Sequence, residues 1–123
     1  METKQLSKSR KLTSWIIAGL LTSLFLYSAS GKFIAPEMTE MFEAFGLSKW
    51  ITIIAIGEII STILFLFPKT NIFGSFLLSS YMGGAIVAHM SIGDSFLVQS
   101  VVLILVWAVA FLRNPELLAS FKN

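Results

Sequence analysis

Four side chains able to do chemistry stand inside or at the ends of apolar runs: Lys32, Glu58, Tyr81 and His89. Glu58 lies in Ile-Ala-Ile-Gly-Glu-Ile-Ile-Ser-Thr, residues 54–62, with no other charge between residues 50 and 67. A carboxyl group in such a run pairs with a cation, exchanges a proton, or stays neutral and donates a hydrogen bond. Ser61 and Thr62 follow at i+3 and i+4, so they share its helical face. Tyr81, Ala85 and His89 recur every four residues and form one stripe. Lys32 closes Ser28-Ala29-Ser30-Gly31-Lys32 and is the nearest cation to Glu58. Two arrangements are open at this point. Lys32 reaches inward and pairs with Glu58, or it snorkels outward and leaves a desolvated, neutral acid.

The elements that position these groups follow from composition. The chain has 123 residues, 55% hydrophobic and only 13% charged, against about a quarter charged in soluble domains. Its mean hydropathy is +0.81. This is the composition of a membrane protein with one domain. Four apolar runs cover residues 13–30, 50–67, 72–89 and 96–112. Each is roughly 26–27 Å long as a helix, enough to cross a hydrocarbon core with little tilt. A lipid-facing backbone must satisfy its own hydrogen bonds, so each run is expected to be helical. The predicted fold class is all-α: four transmembrane helices in a bundle, within a membrane domain at residues 13–113. Residues 1–12 and 114–123 read as terminal tails.

Charge sets the expected direction. Lys4, Lys8, Arg10, Lys11, Lys69, Arg113 and Lys122 fall on one side, and Lys32 and Lys49 on the other. Seven against two places both termini in the cytoplasm, in an inner (cytoplasmic) membrane. A secretory signal at the first run is the weaker reading, because its apolar core exceeds the usual 7–15 residues and Lys32 follows at once. Between the first two runs, Ile34, Met38, Met41, Phe42 and Phe45 share one helical face, and Glu37, Glu40 and Glu43 the opposite one. Pro36 and Gly46 suit the two ends of a short amphipathic helix. That helix lies on the outer membrane surface or packs over the bundle.

These placements bring the polar groups together. Glu58 sits about 12 Å along the second helix from its outer end. Tyr81 lies at a similar level, His89 ends the third helix, and Gln99 and Ser100 begin the fourth. A cleft in the outer half of the bundle is expected, with inner halves that are far more apolar. Gly83, Gly84 and Ala85 read as a site of close helix packing.

Several function classes fall away. The chain has no cysteine, hence no disulfide, thiolate nucleophile or Cys-ligated metal. One histidine with Glu58 and Asp94 gives no metal-ligand spacing, and no metal site is predicted. No phosphate-binding glycine loop or nucleophile elbow is present. No basic and aromatic surface suggests nucleic acid.

In order and spacing, several short motifs resemble the DoxX-like family. They are Ser28-Ala29-Ser30-Gly31-Lys32, Gly57-Glu58, Pro68-Lys69-Thr70 with Gly74, Tyr81-Met82-Gly83-Gly84-Ala85, and His89. The resemblance covers about residues 14–115. It implies a small four-helix membrane protein. The family's name-giving relatives include a subunit of a thiosulfate:quinone oxidoreductase, which implies quinone as a candidate cofactor and a redox protein as a candidate partner. With no cysteine here, sulfur chemistry would belong to a partner or substrate.

Three function classes result. The first is an accessory or ligand-binding membrane component, with a polar cleft built by Lys32, Glu58, Tyr81 and His89. The second is a membrane subunit of a quinone-linked oxidoreductase, in which His89 or Tyr81 hydrogen-bonds a quinone oxygen and Glu58 exchanges the proton. The third is a proton-coupled carrier relaying through Glu58, which with four short spans would need a homo-oligomer. The first is preferred, and the lipid bilayer is the surrounding partner in all three.

Overall fold

The computed structural model describes residues 6–119, so Lys4 and Lys122 of the charge count lie outside the described residues. Helix α1 spans Lys8–Ile34, α2 Pro36–Phe45, α3 Ile51–Leu66, α4 Asn71–Ser91, α5 Leu97–Arg113 and α6 Glu116–Ala119. Single 3₁₀ turns at Ser48–Trp50 and Pro68–Thr70 lead into α3 and α4. Among the described residues there is no strand.

Helix ends follow the local chemistry. α1 starts five residues before the apolar run because Ser7 caps it, accepting from the Arg10 backbone N–H at 3.2 Å. Pro36 stands in the first turn of α2, where its missing N–H costs nothing. Gly46 closes α2 at φ 75°, which lets the Leu47 N–H reach Phe42 O at 2.8 Å. The turn from α3 to α4 is held by side chains. Thr70 Oγ1 donates to Leu64 O at 2.7 Å, and Asn71 Nδ2 donates to Phe65 O at 2.6 Å.

α1, α3, α4 and α5 form the bundle. α1 packs on α3 and α5, and α4 packs on the same two from the opposite corner. The shared core contains Leu21, Phe25, Phe65, Leu78, Met82 and Val106. Outside it, Leu20, Ile53, Phe73 and Ile104 are more than 60% exposed, the pattern of a bundle whose outer surface meets lipid. Three helical stretches, Lys8–Ile34, Ser48–Leu66 and Pro68–Ser91, are long and apolar enough to cross a membrane. α5 is apolar and slightly shorter, about 26 Å at 1.5 Å per residue.

α3 and α4 touch most closely at Gly74. A Cβ there would collide with the backbone of Phe65. A Cβ at Gly83 or Gly84 would meet nothing within 4 Å in the chain, and Gly84 is exposed. α2 does not float apart from the bundle. Its Phe42 is 6% exposed, and its apolar face roofs the end of the bundle where α1 stops and α3 begins.

Candidate functional site

Beneath α2 lies a cavity of about 460 Å³. Lys32 from α1, Glu58 from α3, and Tyr81 and His89 from α4 all line it. The four site residues singled out in the sequence are thus brought to one place. Ala85 of the Tyr81–His89 stripe lines it too, as does Gly84. These small residues of α4 form part of its wall.

Lys32 takes the inward of its two arrangements. Its Nζ donates to Glu58 Oε1 at 2.8 Å and to Ser28 Oγ at 2.9 Å, and lies 3.5 Å from Ser28 O. The side chains of Lys32 and Glu58 are only 2% and 0% exposed. Two rings face the ammonium, Tyr81 at 5.4 Å and Phe42 at 5.8 Å from their centroids. The lysine is fully surrounded: a carboxylate, a hydroxyl, and two aromatic faces. Glu58 is less complete. Its backbone carbonyl accepts from Thr62 Oγ1 at 2.6 Å, but Oε2 is buried without a hydrogen-bond partner among the described residues.

On the other side of the cavity, His89 Nδ1 lies 2.8 Å from Ala85 O. A carbonyl only accepts, so Nδ1 carries the proton. His89 Nε2 lies 3.4 Å from the Gln99 side-chain amide on α5, and Asp94 Oδ2 stands 3.9 Å from the same nitrogen. Gln99 Oε1 is buried without a hydrogen-bond partner among the described residues. Phe45 of α2 covers the imidazole with centroids 5.2 Å apart.

The remaining wall is apolar: Phe25, Ile54, Met38, Met41 and Val102 among others. The arrangement can hold an apolar body and place one polar end among a buried ion pair, a phenol and a His–Gln pair. Sequence reading missed two parts of it. Ser28 sits four residues before Lys32, the spacing at which a helical neighbour can steer a side chain inward. Gln99 was visible as a polar residue in an apolar helix, but its pairing with His89 is a tertiary contact.

The opposite end of the bundle was expected to be apolar, and it is not. Arg113 is 8% exposed. Its Nη1 donates to Leu66 O at 2.6 Å and Phe65 O at 3.2 Å, the last carbonyls of α3. Trp15 stacks against the guanidinium at 4.5 Å. Asn114 Nδ2 donates to Asn71 Oδ1 at 3.1 Å. Arg10 caps α5 in the same way, through Leu112 O at 2.7 Å and Phe111 O at 3.0 Å. Charges placed at helix C-termini answer the carbonyls left unpaired there, so this cluster is a set of caps. Its members were legible only as flanking charges and turn residues.

Comparison with known sequences now decides the family. The sequence model of the DoxX-like family matches residues 16–111. The chain belongs to the DoxX-like family. Comparison with curated proteins and with solved structures finds no match. As a DoxX-like protein it is an integral membrane protein, and the matched region contains all of Lys32, Glu58, Tyr81 and His89.

Proposed function

We propose that this DoxX-like protein is a ligand-binding membrane component that holds a small amphiphile beneath α2. One observation carries the reading: a cavity of about 460 Å³, apolar over most of its wall, contains every one of the converging polar groups Lys32, Glu58, Tyr81 and His89. Apolar pockets with a few placed polar groups are the usual form of a small-molecule site. Tyr81 and the Lys32–Glu58 pair receive the polar end of the ligand, and Phe25, Ile54 and the α2 methionines receive its body.

A quinone meets the same description, with two ring oxygens and an apolar remainder. Quinone-linked electron transfer with a redox partner is therefore the second reading, favoured by the phenol of Tyr81 and the imidazole of His89 on one cavity wall. A proton-coupled carrier is less well supported, because Glu58 is closed into an ion pair with Lys32. The reading includes an inner-membrane location with both termini cytoplasmic.

The test is native mass spectrometry of protein extracted into mild detergent and into lipid nanodiscs. The expected result is an adduct of lipid-like mass, retained by the parent and lost in Tyr81→Phe and Gln99→Leu, variants that leave the ion pair untouched. A parent free of any adduct, which also fails to take up added alkylphenols or short-chain quinones, overturns the proposal.

A further inference from the structure

The cavity is not sealed by the bundle. Two residues that line it, Ser80 and Gly84, are also exposed on the outer surface of α4. A Cβ built on Gly84 would meet nothing within 4 Å. Ala88, one turn further on, lines the cavity as well. The three stand four residues apart, on one strip of the helix. Across from them α3 contributes Ile54 and Glu58. At the far end of the same helix pair, Gly74 brings the backbones into contact at Phe65. α3 and α4 thus meet in a tight crossing at Gly74, while beside Gly84 the cavity wall is open. Elsewhere the cavity reaches the surface past Leu24 and Val98, where the rim is made of bulky apolar side chains.

Depth decides what the gap faces. Gly84 lies seven residues before the end of α4 at Ser91, about 10 Å inside the helix terminus, and Ser80 about 16 Å. In a bilayer with a core of about 30 Å, that strip faces acyl chains and not water.

We infer that Ser80, Gly84 and Ala88 form a lateral portal between α3 and α4. Through it a long-tailed amphiphile enters from the lipid phase, its head lodged at the Lys32–Glu58 pair and its tail left among the bilayer chains. The inference rests on the proposed ligand-binding role and adds the route and the ligand class. The site takes a membrane-resident single-headed amphiphile, not a water-soluble solute. Buried Glu58 Oε2, without a hydrogen-bond partner among the described residues, marks the end of the cavity at which a head bearing a hydrogen-bond donor stops.

The experiment uses the full chain in lipid nanodiscs and two probes with the same head, 4-ethylphenol and 4-dodecylphenol. The first is a head with almost no tail, and the second carries a twelve-carbon chain on the same head. Gly84→Leu fills the portal. Gly83→Leu is the control, since Gly83 has equal free space but does not line the cavity. The expected result is binding of both probes by the parent and by Gly83→Leu. Gly84→Leu loses at least tenfold in affinity for 4-dodecylphenol and less than twofold for 4-ethylphenol. Ser80→Leu repeats the test from the neighbouring turn and replaces Gly84→Leu if that variant does not fold. Equal loss of both probes overturns the portal, because the substitution would then occupy the head site. No loss of either overturns it as well. A parent that binds neither probe removes the binding role itself, a result separate from both of these.

Discussion

Lys32 Nζ and Glu58 Oε1 meet at 2.8 Å across the contact between α1 and α3, with neither side chain more than 2% exposed. Such a pair gains little over apolar side chains of the same volume, but leaving one member alone is costly. Glu58→Gln should therefore lower stability in detergent unfolding by about 3–5 kcal/mol. Lys32→Met combined with Glu58→Leu should recover most of that loss. A Glu58→Gln variant as stable as the parent would mean that the lysine swings out to water without penalty.

Gly74 and Gly84 should behave as opposites under the same substitution. Gly74→Ala sets a methyl group against the Phe65 backbone, which cannot step aside as a side chain can. A loss of about 1–3 kcal/mol is expected from overpacking. Gly84→Ala meets free space and should gain up to about 1 kcal/mol from helix propensity. Unfolding of the two single variants side by side checks the sign of each.

At the other end, Arg113→Met removes the guanidinium from Leu66 O and from Phe65 O, which keeps its bond from Asn71 Nδ2. Hydrogen bonds to a charged group contribute about 1.5–3 kcal/mol, and a loss in that range is expected. Because the cluster lies across the bundle from the cavity, probe affinity should not change. Measuring unfolding and 4-ethylphenol binding on the same sample separates the two effects.

The described cations divide unequally between the two ends of the bundle. Lys8, Arg10, Lys11, Lys69 and Arg113 lie at the end of the bundle opposite α2, while Lys32 and Lys49 lie at the α2 end. Reporters joined before Met1 and after Asn123 should both read cytoplasmic. Replacing Lys8, Arg10 and Lys11 together should weaken that preference. An active periplasmic reporter at either end of the unaltered chain would contradict it.

The bundle was readable because membrane helices announce themselves by length and hydropathy. The short helix was readable because Pro36, Gly46 and the Met38–Phe42–Phe45 face are local signals. The site was readable as far as polar residues in an apolar chain are conspicuous, which is how Glu58, Tyr81 and His89 stood out. Two things were not. The choice between an inward and an outward Lys32 depends on Ser28, Phe42 and Tyr81 converging from three helices. The purpose of a glycine depends on its surroundings: Gly74 presses on the neighbouring helix and Gly84 faces open space, yet in sequence both are glycines of one apolar span.

Arg113 ends the last helix of the bundle, yet it completes a helix made 47 residues earlier, at Leu66. While the chain is being synthesised, α3 and α4 can insert as a hairpin in which Thr70 and Asn71 already supply donors to Leu64 O and Phe65 O. Leu66 O meets its side-chain donor only when α5 brings Arg113 to it, so the second span is finished by the last residue of the fourth.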